Sequence, residues 1–137
     1  MLKQLILSAF LFLFISCEKE SNLTSEDSNA NSISEVATLM FSGPFTGTSG
    51  ITVTGSAKIY NDINQKKVLL DNFTITDGPD LKVYLSTTSA PNTFVNLGAL
   101  TSSRVYLIPN SVDLSVYKYV LIHCQQYNHL FAIAELK

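Results

Sequence analysis

The sequence predicts an all-β fold: a single antiparallel β-sandwich or barrel-like domain. Three observations carry that prediction. Apolar and polar residues alternate at period two in several short runs, as in strands with one wet face. Turn signals such as "NDINQ" and "DGPD" separate these runs. Beyond the N-terminal apolar stretch, no window sustains helical periodicity.

The elements follow in order. "VATLMFSGPF", from Val36 to Phe45, supplies the first strand. "ITVTGSAKIY" alternates well, with Ile51, Val53, Ala57 and Ile59 on one face and Thr52, Thr54, Ser56 and Lys58 on the other. Gly55 in its middle marks a bulge or a close backbone approach. Asn61 to Gln65 reads as a hairpin turn. "KKVLLDNFTIT" is the return strand, with Leu69, Phe73 and Ile75 assigned to its inner face.

In "DGPD", Gly78 accepts positive φ and Pro79 fixes its own, so Asp77 to Asp80 form a turn. "LKVYLS" then places Leu81, Val83 and Leu85 on one side, and "TSAPN" ends that strand. "RVYLIP" is another strand, closed by Pro109. "SVDLSVY" is a connecting turn with room for a short helical piece. "YKYVLIHC" and "LFAIAEL" are the last two strands.

The N-terminus reads as targeting rather than fold. Lys3 gives a basic start, and "LILSAFLFLFIS" runs uncharged from Leu5 to Ser16. A spanning helix needs about 20 apolar residues, so this run is too short. It fits a secretory signal. An apolar run ending on small Ser16 and then Cys17 resembles a bacterial lipoprotein signal, although Phe14 stands where leucine is most usual. That resemblance implies a signal peptide over 1–16 and lipidation of Cys17. Each buried methylene of such an anchor contributes about 0.8 kcal/mol to membrane binding. The expected location is the bacterial cell envelope, at the outer membrane or cell surface rather than the inner membrane.

Residues 17–37 are expected to be a flexible acidic tether, rich in Ser and Asn with little to bury. Residues 18–35 carry a net charge of −4, and residues 36–137 carry +1. The domain, over 38–137, is therefore nearly neutral and has no basic footprint for nucleic acid. About 100 residues suffice for one core.

The chemistry candidates are few. "YVLIHCQQYNHLF" holds both histidines, His123 and His129, and the one cysteine besides Cys17. Alternation puts Val120, Ile122 and Cys124 on one face. Cys124 is either a redox thiol without an intramolecular partner or a small hydrophobe of the core. Cys124 and His129 have the spacing of a metal-binding loop, but the other ligands such a site needs are short, so no metal is expected. No nucleophile elbow or phosphate loop occurs. Asp80 and Asp113 read as turn and cap formers. An enzyme with its own acid–base machinery is not expected.

"SGPFTGTSGITVTGSAKIY", "LLDNFTITDGPDLKVYLS", "LGAL", "VYLIP" and "VDLSVYKYVLIHCQQYNHLFAIAEL" follow one another in order. Together they resemble a DM13 domain, an all-β extracellular module found beside DOMON domains in animals and alone in small bacterial lipoproteins. The resemblance covers residues 38–137. It implies that Cys124 matches the family's characteristic cysteine, at the end of the penultimate strand. That cysteine is held to be redox-active, as a naked thiol or as the ligand of a prosthetic group such as haem. His129 is then a second candidate ligand, provided the turn after Cys124 folds back. The segment after the family's cysteine usually ends in Phe-Gly-x-Ala, whereas this chain has Phe131-Ala132-Ile133-Ala134. The implied role is electron transfer at the cell surface, with an external redox partner because one thiol cannot close a dithiol cycle. The alternative is a non-catalytic binding module, displaying its loops or the tyrosines Tyr117, Tyr119 and Tyr127, in which Cys124 is structural.

Overall fold

The computed structural model describes residues 30–137. The expected signal segment, Cys17 and the tether as far as residue 29 lie outside the described residues. Eight strands follow one another: β1 (Thr38–Gly47), β2 (Val53–Asp62), β3 (Gln65–Ile75), β4 (Leu81–Ser86), β5 (Phe94–Ala99), β6 (Val105–Leu107), β7 (Tyr119–Cys124) and β8 (His129–Glu135). They form one antiparallel sheet in the order β5-β4-β7-β8-β1-β2-β3-β6, nearly closed into a barrel. The predicted all-β class is borne out.

The two edge strands, β5 and β6, are neighbours in the chain, and residues 100–104 join them. This connection draws the seam together. The Tyr106 hydroxyl donates to Ala99 O at 3.2 Å and accepts from Thr101 N at 2.9 Å. Leu70 N of β3 donates to Arg104 O at 2.8 Å. Near-closure leaves few unpaired strand edges, which are the usual liability of an open sheet.

The core lies inside the barrel. Ala57 and Ile59, Val68 and Leu70, Val83 and Leu85, Val120, Ile122 and Cys124, and Ala132 and Ala134 all belong to one buried cluster. Alternation along the strands supplies these inward residues. The turn between β2 and β3 is two residues long, and both Ile63 and Asn64 hold positive φ, 50° and 63°. That geometry matches the twist of a tight hairpin.

Of four register shifts in the sheet, two reset the alternation near the residues of interest. Between Thr54 and Ser56 the register of β2 against β3 shifts, because Ser56 faces Asp71 while Thr54 faces Thr74. The extra residue is on β3, where Asn72 has φ 48°. Gly55 faces this bulge at φ 94°, as its place in the strand predicts. The bulge corrects one expectation: Leu69 does not join Phe73 and Ile75 on the inner face. Val68 and Leu70 point inward before the bulge, and Phe73 and Ile75 after it. A second shift lies between β7 and β8, where Ile122 faces Ala132 but His123 faces Leu130. Phe131 is the extra residue, and its carbonyl is held by Thr48 N at 2.9 Å.

The sequence reading contains no strand over Phe94–Ala99, yet β5 is there. The "SVDLSVY" segment holds turns and no helix. Asp113 organises it, accepting from Ser115 N at 2.9 Å and from Ser115 Oγ at 2.6 Å, as a turn former should. The last residues before β1 also reach the domain. Ser34 bonds to Asp62, and the Lys67 ammonium donates to Ser32 O at 2.9 Å. This docking lies at the end of the barrel that holds the 63–64 hairpin. The antiparallel order places Cys124 and the 125–128 turn at the opposite end.

Candidate functional site

Cys124 is the last residue of β7, and its side chain is a free thiol with 0% exposure. Parity along β7 aims it inward with Val120 and Ile122, as the alternation predicts. Its partner on β4 is Leu81, itself packed against the core. The next four residues, Gln125 to Asn128, are all exposed. Full burial therefore gives way to solvent within one residue of the sulfur. Two backbone hydrogen bonds shape this boundary: Gln125 N donates to Asp80 O at 3.0 Å, and Asn128 N donates to Gln125 O at 3.3 Å.

The turn does fold back. His129 is the cross-strand partner of Cys124, and directly opposed residues share a face of the sheet. The His129 side chain is exposed and sets its ring edge-on to Phe131, with centroids 5.1 Å apart. The structure thus brings together Cys124 and His129, the two residues singled out in the sequence.

His123 goes the other way. It points to the outer face, as strand alternation requires. There it is only 4% exposed. Its Nε2 lies 3.1 Å from Asn128 Oδ1, while its Nδ1 is buried without a partner. Its ring stacks on Tyr84 at 5.3 Å, and Tyr84 stacks on Phe94 at 4.1 Å. Burial pushes the Tyr84 hydroxyl pKa up, the Asp80 charge adds to that, and Lys82 opposes it. Sequence reasoning missed this cluster. Its one signal was an aromatic at Tyr84, between the inward residues Val83 and Leu85. The segment from Thr87 to Thr93 folds over this outer face: Pro91 shares a cleft with His123, and Ser89 shares another with Tyr119 and Ile133.

A haem thiolate needs a large apolar pocket at the sulfur. Cys124 instead sits in close-packed core. It lines neither the cavity of about 410 Å³ between Asp77–Leu81 and Arg104, nor that of about 440 Å³ over β1 and β8. As folded, Cys124 and His129 do not fit a haem. Among the described residues, no three His, Cys, Asp or Glu side chains gather into a metal-binding group.

Residues 44–136 match a family model described as electron transfer DM13. No curated protein and no solved structure matches the chain.

Proposed function

The chain belongs to the electron transfer DM13 family, and from that premise we propose that it is a lipid-anchored redox module of the cell envelope whose working group is the Cys124 thiol. Lipid on Cys17 would hold it at the membrane. One observation carries the role of Cys124: the buried sulfur stands at the edge of the core, immediately before four exposed residues. Opening the 125–128 turn would uncover it while most of the barrel stays closed. Local openings of this kind cost far less than global unfolding.

The chemistry that suits one thiol is exchange with a partner disulfide. The Cys124 thiolate attacks one partner sulfur. A new S–S bond forms, the partner S–S bond breaks, and the other partner sulfur leaves as a thiolate. His129, the cross-strand partner of Cys124, would take the thiol proton as the turn opens. A dithiol of a second partner then resolves it: its first thiol attacks the Cys124 sulfur and releases the first partner's remaining sulfur as a thiolate, and its second thiol displaces Cys124 as it closes its own disulfide. Cys124 ends as it began, and two electrons have passed from the dithiol to the disulfide.

The test is reaction of the native full chain with glutathione disulfide, followed by peptide mass mapping. A mixed disulfide at Cys124, formed without global unfolding and absent in Cys124→Ser, supports the reading. An adduct that appears only when the whole domain unfolds overturns it. The second reading, a binding module with a structural cysteine, is favoured by the 0% exposure of Cys124.

A further inference from the structure

A cleft of about 410 Å³ lies between residues 77–81 and the 100–104 connection, with Ile75, Asp77, Leu81, Leu100 and Arg104 among the residues that line it. We propose that this cleft is a binding site for a small zwitterion carrying one carboxylate and one ammonium, of the amino-acid or dipeptide class. Cys124 does not line the cleft, and the proposal does not depend on how that thiol is used.

Arg104 supplies the positive end. Its main chain is fixed at the level of Leu70, whose N–H donates to Arg104 O at 2.8 Å. Its guanidinium carbon lies 5.2 Å from the centre of the Phe73 ring. The side chain therefore runs along β3 from Leu70 towards Ile75 and Asp77, which line the cleft with it. The charged end of Arg104, not its backbone, is the part nearest those two residues. The Phe73 face attracts the cation but offers it no counter-charge. Among the described residues the ion pairs are Lys58–Asp71, Lys67–Asp62 and Lys82–Asp80, and none involves Arg104. Arg104 also holds φ 58°, a region that residues other than glycine seldom occupy, and such departures gather at ligand sites.

Asp77 supplies the negative end. It is exposed, lines the same cleft and belongs to none of those ion pairs. Asp80, the other carboxylate of the wall, lies 3.0 Å from the Lys82 ammonium and is already compensated. A simple anion drawn to Arg104 is repelled by Asp77, and a simple cation drawn to Asp77 is repelled by Arg104. A ligand with both charges answers both groups. Ile75, Leu81 and Leu100 add an apolar wall, and all three pack against the core, so that wall is fixed. The volume falls among small-molecule sites, about 300–1,000 Å³, and admits an aliphatic amino acid or a dipeptide.

The test follows the backbone amide resonances of Gly78, Leu81 and Leu100 in the full chain while L-leucine or glycyl-leucine is added. The contrasts are isocaproate, which is leucine without its ammonium, and isoamylamine, which is leucine without its carboxylate. The expected result is a saturable shift with a zwitterion and binding about tenfold weaker, or none, with both contrasts. Asp77→Asn should weaken zwitterion binding about tenfold while isocaproate binding is kept or improved. A loss of structure would not produce that crossover. Arg104→Asn, chosen because asparagine tolerates positive φ, should abolish the zwitterion response. If Arg104→Asn loses the β spectrum, Asp77→Asn carries the test, since Asp77 is exposed and outside the ion pairs. No saturable shift with either zwitterion, contrasts that bind as tightly as the zwitterions, or unchanged zwitterion binding in Asp77→Asn each overturns the proposal.

Discussion

Asp62 and Lys67 form an ion pair of 2.8 Å with both side chains almost wholly withdrawn from solvent, 4% and 1% exposed. The pair flanks the β2–β3 hairpin and ties in the segment before β1. Ser34 N donates to Asp62 Oδ2 at 3.1 Å, and Ser34 Oγ donates to Asp62 Oδ1. Burial of two charges is tolerated because each has several polar partners. Ser32 and Ser34 thereby become part of the domain.

This pair predicts an acid limit to stability. The Lys67 ammonium, then the Ser34 hydroxyl, hold the Asp62 carboxyl at about 2, against an ordinary 3.8. The folded pKa is the lower one, so the unfolded chain binds the proton more readily. The stabilisation is complete above the unfolded pKa and is lost as pH falls through the folded value. Urea midpoints should fall between about pH 4 and pH 2. Asp62→Asn should flatten that dependence, and Asp62→Ala should cost about 3 kcal/mol at neutral pH. An unchanged acid profile in Asp62→Asn would assign the loss to other carboxylates.

Gly55→Ala should be among the costliest single-methyl additions in the domain. At φ 94° an L side chain is strained. A Cβ there would also lie 2.4 Å from Asp71 O and 2.6 Å from Asn72 O, both backbone atoms. We expect a loss of about 3 kcal/mol or more. A loss below about 1 kcal/mol would mean that the bulge relaxes freely.

The strands that were legible in the sequence are those whose alternation is unbroken. In β4, Leu81, Val83 and Leu85 face the core as read. In β7, the inward set ends on Cys124 as read. Reading failed where an extra residue changes parity. Leu69 was misplaced because the bulge at Asn72 is a property of the β2–β3 pairing and not of either strand alone. β5 was hidden for a similar reason. Its pairing with β4 shifts between Val83 and Tyr84, Gly98 holds φ 118°, and Asn96 Oδ1 accepts from Gly98 N. The spacing of Cys124 and His129 in the chain could not show that a tight turn opposes them. The ring stack was not legible at all, because Phe94 and His123 meet only through Tyr84.

Tyr106→Phe probes the barrel seam. The ring is buried, and the hydroxyl satisfies both Thr101 N and Ala99 O. Removing it leaves a donor and an acceptor unmet, at a cost of about 1–2 kcal/mol. Amide exchange at Thr101 should accelerate more than exchange at Ile122, in the middle of β7. Equal acceleration at both would show that the seam opens only with the whole barrel.

Cys124 decides between the two functional readings through how its thiol becomes accessible. The sulfur is fully buried among apolar groups. Cys124→Ser therefore places an unpartnered hydroxyl in the core and should cost about 2 kcal/mol. Cys124→Ala should cost less, about 1 kcal/mol, because it leaves only a small void. In the wild type, labelling with a thiol reagent should be slow. Its rate should be flat at low urea, since opening the 125–128 turn exposes little surface. Global opening exposes far more, so its rate climbs steeply with urea. A flat region that vanishes when Asp80 and Gln125 are locked by an engineered disulfide would establish the turn as the gate. A rate that climbs from the first addition of urea would make Cys124 a core residue like Ile122 and leave the binding-module reading in possession of the site.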